Sequence, residues 1–377
     1  MKNINTIPSR RGTPVKRTTA LAIAAPVLAL SLAACGAANE DGDDTTNTSA
    51  ETSLSGTVNG AGASSQEAAV AAWKAGFQTA NPDITVNYDP AGSGAGREQF
   101  IAGGVAFAGS DAYLDGEELQ KAIDRCGSDV IEVPVYVSPI AIVYNLDGVD
   151  ELNLSANTIG QIFEGKITKW NDPAIVADNP DADLPDATIT AVHRSDDSGT
   201  TKNFTDYLDQ ASEGGWTQGE VETWPLQSGE AAEGTSGVIA AVSGGNGTIG
   251  YADASQAGDL GTVNVKVGNS FTAPTPDAAA ASLGAAKPVS GRSATDIAID
   301  LDRATTTEGV YPIVLASYQI ACQSYEDAAT ADLVKGWLTF VASDEGQAAA
   351  ASSAGSAPIS GEFAEKVRAA IDTIKGA

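Results

Sequence analysis

Residues His193–Thr201, with the sequence HRSDDSGTT, decide the fold class of this chain. They follow residues 187–192, whose apolar side chains suit a buried β-strand, and they precede a run in which apolar side chains recur at helical spacing through residue 211. A strand that passes through a small polar turn into a helix is the repeating unit of α/β proteins. We therefore predict an α/β fold, with Arg194 at the end of a strand and Ser198 at the start of a helix.

The same residues are suited to binding an oxyanion. A helix start offers backbone N–H groups that have no partner within the helix, together with the positive end of the helix dipole. Ser198 and Thr200 add hydroxyl groups, and Arg194 adds a planar fork of N–H donors for tetrahedral oxygens. The alternative is a Ser198 N-cap beside a surface arginine, which is a common arrangement without a ligand.

Three further strands end in turns rich in glycine and serine, or at an acid. They are predicted at residues 54–58, 84–88 and 105–108; the first two lead into helices, and the third ends at Gly109-Ser110-Asp111. Ligands of open α/β sheets bind beyond the carboxyl ends of the strands. Turns that converge there would surround an anion with N–H and O–H donors.

The globular part is long enough for two lobes. Apolar runs at residues 133–143 and 310–321 are the candidate crossings between them. The predicted lobe 1 comprises residues 54–135 plus 312–377, and the predicted lobe 2 comprises residues 136–311.

The formal net charge of −28 argues against nucleic acid as a partner, since no basic stripe with interleaved aromatic residues is present. An anion bound by this chain must be held by local dipoles and hydrogen bonds. Repulsion from charges farther than about 8–10 Å is largely screened at physiological salt.

The first 34 residues have the form of an export signal peptide. Five basic residues precede an apolar stretch from Ala20 to Ala34, which is shorter than the roughly 20 residues that span a bilayer. The stretch ends in Leu32-Ala33-Ala34-Cys35, which resembles a bacterial lipobox, so we predict cleavage before Cys35 and lipidation of Cys35. An ordinary signal peptide with an incidental cysteine is the alternative. Residues 35–53 then form a flexible acidic tether, and the lipid anchors the protein to the outer face of the cell membrane.

Two thiols remain after lipidation, Cys126 and Cys322. An exported protein with one remaining pair most simply forms one disulfide, and two unpaired buried thiols are the alternative. With a single histidine and two distant cysteines, no metal site is predicted.

Six motifs resemble those of the phosphate-specific substrate-binding proteins of bacterial ABC importers. They begin at Gly60, Ala91, Gly109, Gly165, His193 and Ile249 and read GAGASS, AGSGAG, GSDAYL, GKITKWNDPAI, HRSDDSGT and IGY. They stand in the family's order and cover about residues 54–377. The resemblance implies a two-lobed type II periplasmic-binding-protein fold of the Venus-flytrap kind, with two interlobe crossings. It also implies capture of inorganic phosphate and delivery to the permease subunits of an ABC transporter.

The resemblance implies eight phosphate contacts, four from each lobe. They are Ser64, Ser65, Ser93 and Asp111 from lobe 1, and Arg194, Ser198, Gly199 and Thr200 from lobe 2. Asp111 would accept the proton that phosphate carries near neutral pH. Sulfate carries no proton and would leave this carboxylate facing an unpaired acceptor, so the resemblance implies selectivity for phosphate.

Two positions depart from the family pattern. Ser64-Ser65 stands where the family commonly has Thr-Phe or Ser-Thr, so Ser65 is expected to contribute its N–H. Asp197 replaces a usual glycine, and we expect it to point outward while Asp196 orients Arg194 through an ion pair.

The leading functional prediction is a monomeric binding protein that performs no covalent chemistry and uses no cofactor. A phosphatase with Ser198 or Asp111 as nucleophile is a rival, but it needs a metal cluster or a general base, and the sequence has neither spacing. An importer protein for another oxyanion, such as sulfate or molybdate, is the third interpretation. The predicted role of Asp111 argues against it.

Overall fold

The structure, a computed structural model, describes residues 54–377. The predicted signal peptide, the lipidated Cys35 and the tether lie outside these residues. None of the helices in this part of the chain has the length and hydrophobicity of a transmembrane span.

The described residues alternate strands and helices along most of their length, as the sequence predicts for an α/β protein. The strands are β1 (Gly56–Gly62), β2 (Ile84–Asp89), β3 (Phe107–Ser110), β4 (Val130–Asn145), β5 (Leu152–Leu154), β6 (Thr190–Arg194), β7 (Glu230–Ala232), β8 (Thr248–Asp253), β9 (Gly261–Val267), β10 (Ser270–Thr272), β11 (Lys287–Pro288), β12 (Ile299–Asp300), β13 (Val314–Cys322), β14 (Ser324–Tyr325) and β15 (Lys375–Gly376). The helices are α1 (Glu67–Ala80), α2 (Ser93–Ile101), α3 (Gly116–Cys126), α4 (Ala156–Phe163), α5 (Pro173–Asp178), α6 (Gly199–Ala211), α7 (Gly234–Gly244), α8 (Pro276–Leu283), α9 (Ala328–Val341), α10 (Asp344–Ala354) and α11 (Gly361–Asp372), with short 3-10 turns at Ser64–Gln66 and Ala254–Gln256.

One long sheet carries both lobes in the strand order β2-β1-β3-β13-β4-β8-β6-β7. The β1 strand is parallel to β2 and β3, and β6 is parallel to β7 and β8, whereas β13 and β4 run antiparallel to their neighbours. The strand β4 changes partners along its length, because it pairs with β13 as far as Pro139 and with β8 from Ile140 onward. We use lobe 1 for the half-sheet β2-β1-β3-β13 with its helices, and lobe 2 for the half-sheet β8-β6-β7 with its helices.

The two apolar runs predicted as crossings lie in β4 and β13, which are buried along nearly their whole length. Their register shifts at Ser317/Tyr318 opposite Val135, where one extra residue of β4 forms a bulge. The amide of Gln347 donates to the Val135 carbonyl at 2.9 Å, so the bulged residue keeps a hydrogen-bond partner. The two strands therefore join the lobes as a paired ribbon.

Three of the four predicted strands begin and end slightly later than predicted, and the fourth begins at Ile84 as predicted. The residues 59–62 form part of β1, although the sequence suggests a turn there. They continue the pairing with β2, and Gly60 leaves room for Phe107, whose ring would lie 2.3 Å from a Cβ at this position. Similarly, Thr188 makes an isolated bridge to Lys169 and the Ala187 carbonyl accepts from the Trp170 N–H, so β6 begins only at Thr190 and extends to Arg194.

The predicted disulfide between Cys126 and Cys322 is present, with the two Cα atoms 5.4 Å apart. It ties the end of α3 to the end of β13 within lobe 1. The predicted lobe boundaries stay a prediction. Residues 287–300, which that prediction places in lobe 2, lie against lobe 1: the Ile297 N–H donates to the Glu132 carbonyl at 2.8 Å, and Tyr113 donates to Asp300 at 3.0 Å.

Candidate anion-binding site

The structure brings the eight predicted contact residues together where the lobes meet. In lobe 1, Ser64 and Ser65 lie in the 3-10 turn between β1 and α1, Ser93 begins α2, and Asp111 follows β3. In lobe 2, Arg194 ends β6 and the segment Ser198–Thr200 starts α6. All eight residues are buried. The arrangement follows from the topology, because the carboxyl ends of parallel strands and the helix starts that follow them share one edge of the sheet.

Asp111 lies at the centre of a set of hydroxyl donors. Ser65 donates to its two carboxylate oxygens at 2.7 and 2.8 Å, and Thr200, from the other lobe, donates to Oδ2 at 2.9 Å. The hydroxyl of Ser93 accepts from the Asp111 backbone N–H at 3.1 Å. Burial raises the pKa of Asp111, and the hydroxyl donors together with Arg194 offset this only in part. Ser65 therefore uses its side chain to hold Asp111, and the contact of its N–H with the ligand stays a prediction.

Arg194 is held in place by Asp196. The Arg194 Nε donates to Asp196 Oδ1 at 2.7 Å, and its Nη2 pairs with Asp196 Oδ2. The pKa of Asp196 is lowered: burial alone would raise it, but the hydrogen bonds and charge of Arg194 outweigh burial. The remaining terminal nitrogen of Arg194 donates to Thr200 Oγ1 at 3.4 Å, toward Asp111. The predicted ion pair with Asp196 thus fixes the orientation of the Arg194 guanidinium, and its Nη1 group is directed to the site.

The side chain of Ser198 is a helix N-cap, which is the alternative interpretation of this residue in the sequence. Its Oγ caps α6 by accepting from the Thr201 N–H at 3.1 Å. The hydroxyl hydrogen stays available for an anion, because a hydroxyl can accept and donate at once. Gly199 lies at a close approach between the lobes: a Cβ there would lie 2.7 Å from Ser93 Oγ and 2.8 Å from Asp111 Cβ. Only glycine allows α6 to start this close to lobe 1.

Two contributors were not found from the sequence. Thr235, at the start of α7, hydrogen-bonds to Ser64 Oγ through its hydroxyl and its N–H, each at 3.1 Å, so a further helix start faces the site. Ser317, in the crossing strand β13, donates to Asp111 Oδ1 at 2.5 Å. The signal for Thr235 is a Gly-Thr-Ser helix start that resembles Ser198–Thr201. The signal for Ser317 is a hydroxyl residue two positions before Gln319 on one face of an otherwise apolar strand.

Asp197 does not simply point outward as expected. It is exposed to solvent, but its carboxylate lies against the start of α2, where a Cβ at Gly94 would be 2.4 Å from Asp197 Oδ2. Partial burial and the neighbouring Glu222 carboxylate raise the pKa of Asp197 to about 6. Glu222 in turn pairs with Arg97 of lobe 1 at 2.5 Å. Asp197 therefore belongs to an ionic contact between the lobes.

The remaining aromatic and imidazole groups near the site pack against their neighbours. His193 stacks on Trp224 with ring centroids 4.8 Å apart, and burial lowers its pKa. The ring of Trp170 is fully buried and donates to the Gly247 carbonyl at 3.1 Å. The Tyr251 hydroxyl contacts the Thr201 hydroxyl at 2.7 Å. It also accepts a hydrogen bond from the backbone N–H of Arg194 at 3.2 Å.

The site thus combines helix starts, hydroxyl donors, one oriented guanidinium and one buried carboxylate. The first three are suited to bind the oxygens of an oxyanion, and the carboxylate can accept a hydrogen bond from a protonated one. Within residues 54–377, no group of histidine, cysteine and acidic side chains is arranged to hold a metal ion.

Known proteins are similar to this chain in sequence and in fold. The PBP superfamily domain matches residues 47–345. Phosphate-binding protein PstS 3 of Mycobacterium tuberculosis (strain ATCC 25618 / H37Rv) is 38% identical over 359 residues, which cover 92% of this chain and 95% of the relative. Phosphate-binding protein PstS 2 of the same strain is 36% identical over 325 residues, which cover 84% of this chain and 87% of the relative.

Among solved structures, a high affinity periplasmic phosphate-binding protein (PfluDING) bound with phosphate has a TM-score of 0.69 at 24% identity, covering 83% of this chain and 93% of that chain. This likeness supports the two-lobed fold. Together with the sequence matches, it leads to one conclusion: the chain belongs to the PBP superfamily and, within it, to the family of PstS phosphate-binding proteins.

Proposed function

We propose that this protein binds inorganic phosphate outside the cytoplasm and delivers it to an ABC transporter, without covalent chemistry. The observation that carries the proposal is the buried Asp111 carboxylate facing Arg194 across the lobe contact. A site built only to attract anions would not include a buried acid. A site built for an anion that carries a proton gains a hydrogen bond from it.

Each of the eight predicted residues has a role in this proposal. Arg194 and the N–H groups at the starts of α2 and α6, including that of Gly199, neutralise the charge of phosphate. The hydroxyls of Ser93 and Ser198 donate to its oxygens, and Asp111 accepts its proton. Thr200 contributes its backbone N–H at the start of α6, while its hydroxyl donates to Asp111. Ser64 and Ser65, in the 3-10 turn between β1 and α1, supply the remaining contacts to phosphate.

The relatives support the same ligand, because the two mycobacterial proteins are named phosphate-binding proteins. The permease partner, the monomeric state, the absence of catalysis and the lipid anchor on Cys35 are parts of the proposal. The anchor is checked directly by mass spectrometry of the membrane-extracted protein, which should carry lipid at Cys35.

A titration decides between the candidate ligands. Calorimetry of the phosphate-free protein should give tight binding of phosphate, and sulfate should bind at least ~100-fold more weakly. The lost hydrogen bond to the charged Asp111 carboxylate and the repulsion between carboxylate and sulfate together cost about 3 kcal/mol or more. Equal binding of the two anions would overturn the role of Asp111. Turnover of a phosphate ester that is lost in Ser198→Ala would instead favour a phosphatase.

A further inference from the structure

A chain of buried hydrogen bonds leads from the core of lobe 1 to Asp111. Trp337 Nε1 donates to Gln319 Oε1 at 3.3 Å, and Gln319 Nε2 donates to Gln66 Oε1 at 2.6 Å. Gln66 Nε2 donates to Ser317 Oγ at 2.6 Å, and Ser317 Oγ donates to Asp111 Oδ1 at 2.5 Å. The first four residues of this chain are fully buried.

The direction of the chain is fixed by two groups that have one role each. The indole N–H of Trp337 can only donate, so the oxygen of Gln319 must face it. The backbone carbonyl of Tyr318 can only accept, and it lies 3.0 Å from Gln66 Nε2. The amide nitrogen of Gln66 therefore faces both Tyr318 and Ser317, and the chain cannot run the other way.

This direction determines what Ser317 does to Asp111. Because Ser317 Oγ accepts from Gln66, its single hydrogen is directed to the Asp111 carboxylate. The nearest other acceptor for it, the Ser110 carbonyl, is 3.4 Å away. From lobe 2, Thr200 accepts from Arg194 in the same way and donates to the other carboxylate oxygen. Both oxygens of Asp111 thus receive a hydrogen from a hydroxyl whose own oxygen is already in use.

We propose that Gln66 and Ser317 form a positioning relay that keeps Asp111 a hydrogen-bond acceptor and thereby sets the preference for an oxyanion that brings its own proton. The inference rests on the proposed function and adds to it two positioning residues, which act through Asp111 rather than on the ligand.

The relay matters because the surroundings of Asp111 otherwise favour its protonated form. Burial raises the pKa of Asp111, and the hydrogen bond from Ser317 is the largest effect that opposes this. A protonated Asp111 could donate its O–H to a fully deprotonated anion such as sulfate. The charge of Arg194 also acts on Asp111, and burial together with the Asp111 charge raises the pKa of the neighbouring Tyr88. Lys202 on α6 and Asp111 both border a neighbouring cavity of about 510 Å³. The Lys202 ammonium pairs with three other carboxylates at 3.5–3.7 Å.

The test is a titration of wild type and Ser317→Ala with phosphate and with sulfate, by calorimetry from pH 5 to pH 8. A hydrogen bond to a charged group is strong enough that its loss should move the acidic limb of phosphate binding upward by about one to two pH units. Sulfate binding should appear in the variant on the acidic side, so the phosphate-to-sulfate preference near pH 6 falls about tenfold or more. The titration of phosphate itself cancels, because both proteins see the same ligand.

Ser138→Ala is the matched control. Ser138 is an equally buried serine in the other crossing strand, and it makes no hydrogen bond to Asp111 among the described residues. It should keep the wild-type pH profile and preference. If Ser317→Ala also keeps both, the relay is wrong. If wild type itself fails to bind phosphate, the proposed function fails and the relay has no role to play.

A second variant tests the direction of the relay without removing Ser317. In Gln66→Glu an oxygen replaces the amide nitrogen that faces Ser317, so Ser317 can donate to it instead of to Asp111. The preference for phosphate should fall as in Ser317→Ala. A Gln66→Glu protein that folds, as judged by its melting curve, and keeps the wild-type preference would also contradict the proposal.

Discussion

Replacing Gly199 with alanine inserts a methyl group between the lobes. The added Cβ would lie 2.7 Å from Ser93 Oγ, 2.8 Å from Asp111 Cβ and 3.0 Å from the Ala112 nitrogen. All three atoms belong to lobe 1, while Gly199 starts α6 in lobe 2. Ordinary contacts between non-bonded heavy atoms are about 3.5–4 Å, so the lobes must separate by roughly 1 Å to admit the methyl group.

The size of the effect follows from this overlap. Inserting a methyl group into a well-packed site costs about 1–3 kcal/mol, and here the cost falls on the closed form in which the lobes touch. We therefore expect phosphate affinity to fall about 5- to 150-fold. The unfolding temperature without phosphate should change little, because alanine is a better helix former than glycine and the lobes can part slightly.

Calorimetry measures the affinity, and small-angle scattering with and without phosphate measures closure. The control is Gly244→Ala, at the end of α7, where an added Cβ meets no atom of the described residues within 4 Å. Wild-type affinity and wild-type closure in Gly199→Ala would refute the reasoning, because the ligand-bound form would then not contain the contact between Gly199 and lobe 1.

Four further outcomes are expected. Arg194→Lys keeps the charge but loses the planar fork, so phosphate affinity measured by calorimetry should fall about 10- to 100-fold, and wild-type affinity would mean that charge alone suffices. Without phosphate, wild type should lose stability as pH rises from about 4 through the raised pKa of Asp111, because burial disfavours the charged carboxylate in the folded state; Asp111→Asn should not show this loss, and a profile of unfolding temperature against pH that runs parallel to that of wild type would contradict this. Wild type should lose stability as pH rises from about 4, the pKa of an unfolded aspartate, to about 6, the raised pKa of Asp197, and Asp197→Asn should not show this loss; unfolding temperatures of the two proteins that run parallel with pH would contradict it. Replacing both Cys126 and Cys322 with serine opens a loop of 196 residues and should lower the unfolding temperature by about 5–8 °C in a thermal melt; an unchanged unfolding temperature would show that the disulfide contributes no stability.

Much of the site could be predicted because it repeats one local pattern. The predicted residues from Ser93 to Thr200 lie just after strands or at helix starts, and small polar residues with glycine identify such positions in sequence. The topology then places them together, since parallel strands share their carboxyl edge.

Ser317 could not be predicted in this way. It lies inside an apolar strand, and its role depends on Gln66, which is 251 positions away in the sequence. Asp197 was misjudged for a related reason: its neighbours Gly94 and Glu222 come from other elements, and sequence near Asp197 carries no information about them. Residues 59–62 were misjudged because glycine favours turns locally, whereas here it admits the ring of Phe107 beside a strand.

The donors that hold Asp111 are divided unequally between the lobes. Ser65 and Ser317 reach the carboxylate from its own lobe, and Thr200 reaches it from the other. Lobe 1 therefore keeps most of the acceptor geometry even when the lobes are apart, and an arriving anion meets an oriented Asp111 at its first encounter. On the proposed function, an anion without a proton should then be rejected before closure and should leave at the rate of a simple encounter, without a closing and reopening cycle. Abundant competing anions should consequently slow the capture of phosphate only by their brief stay in the open cleft.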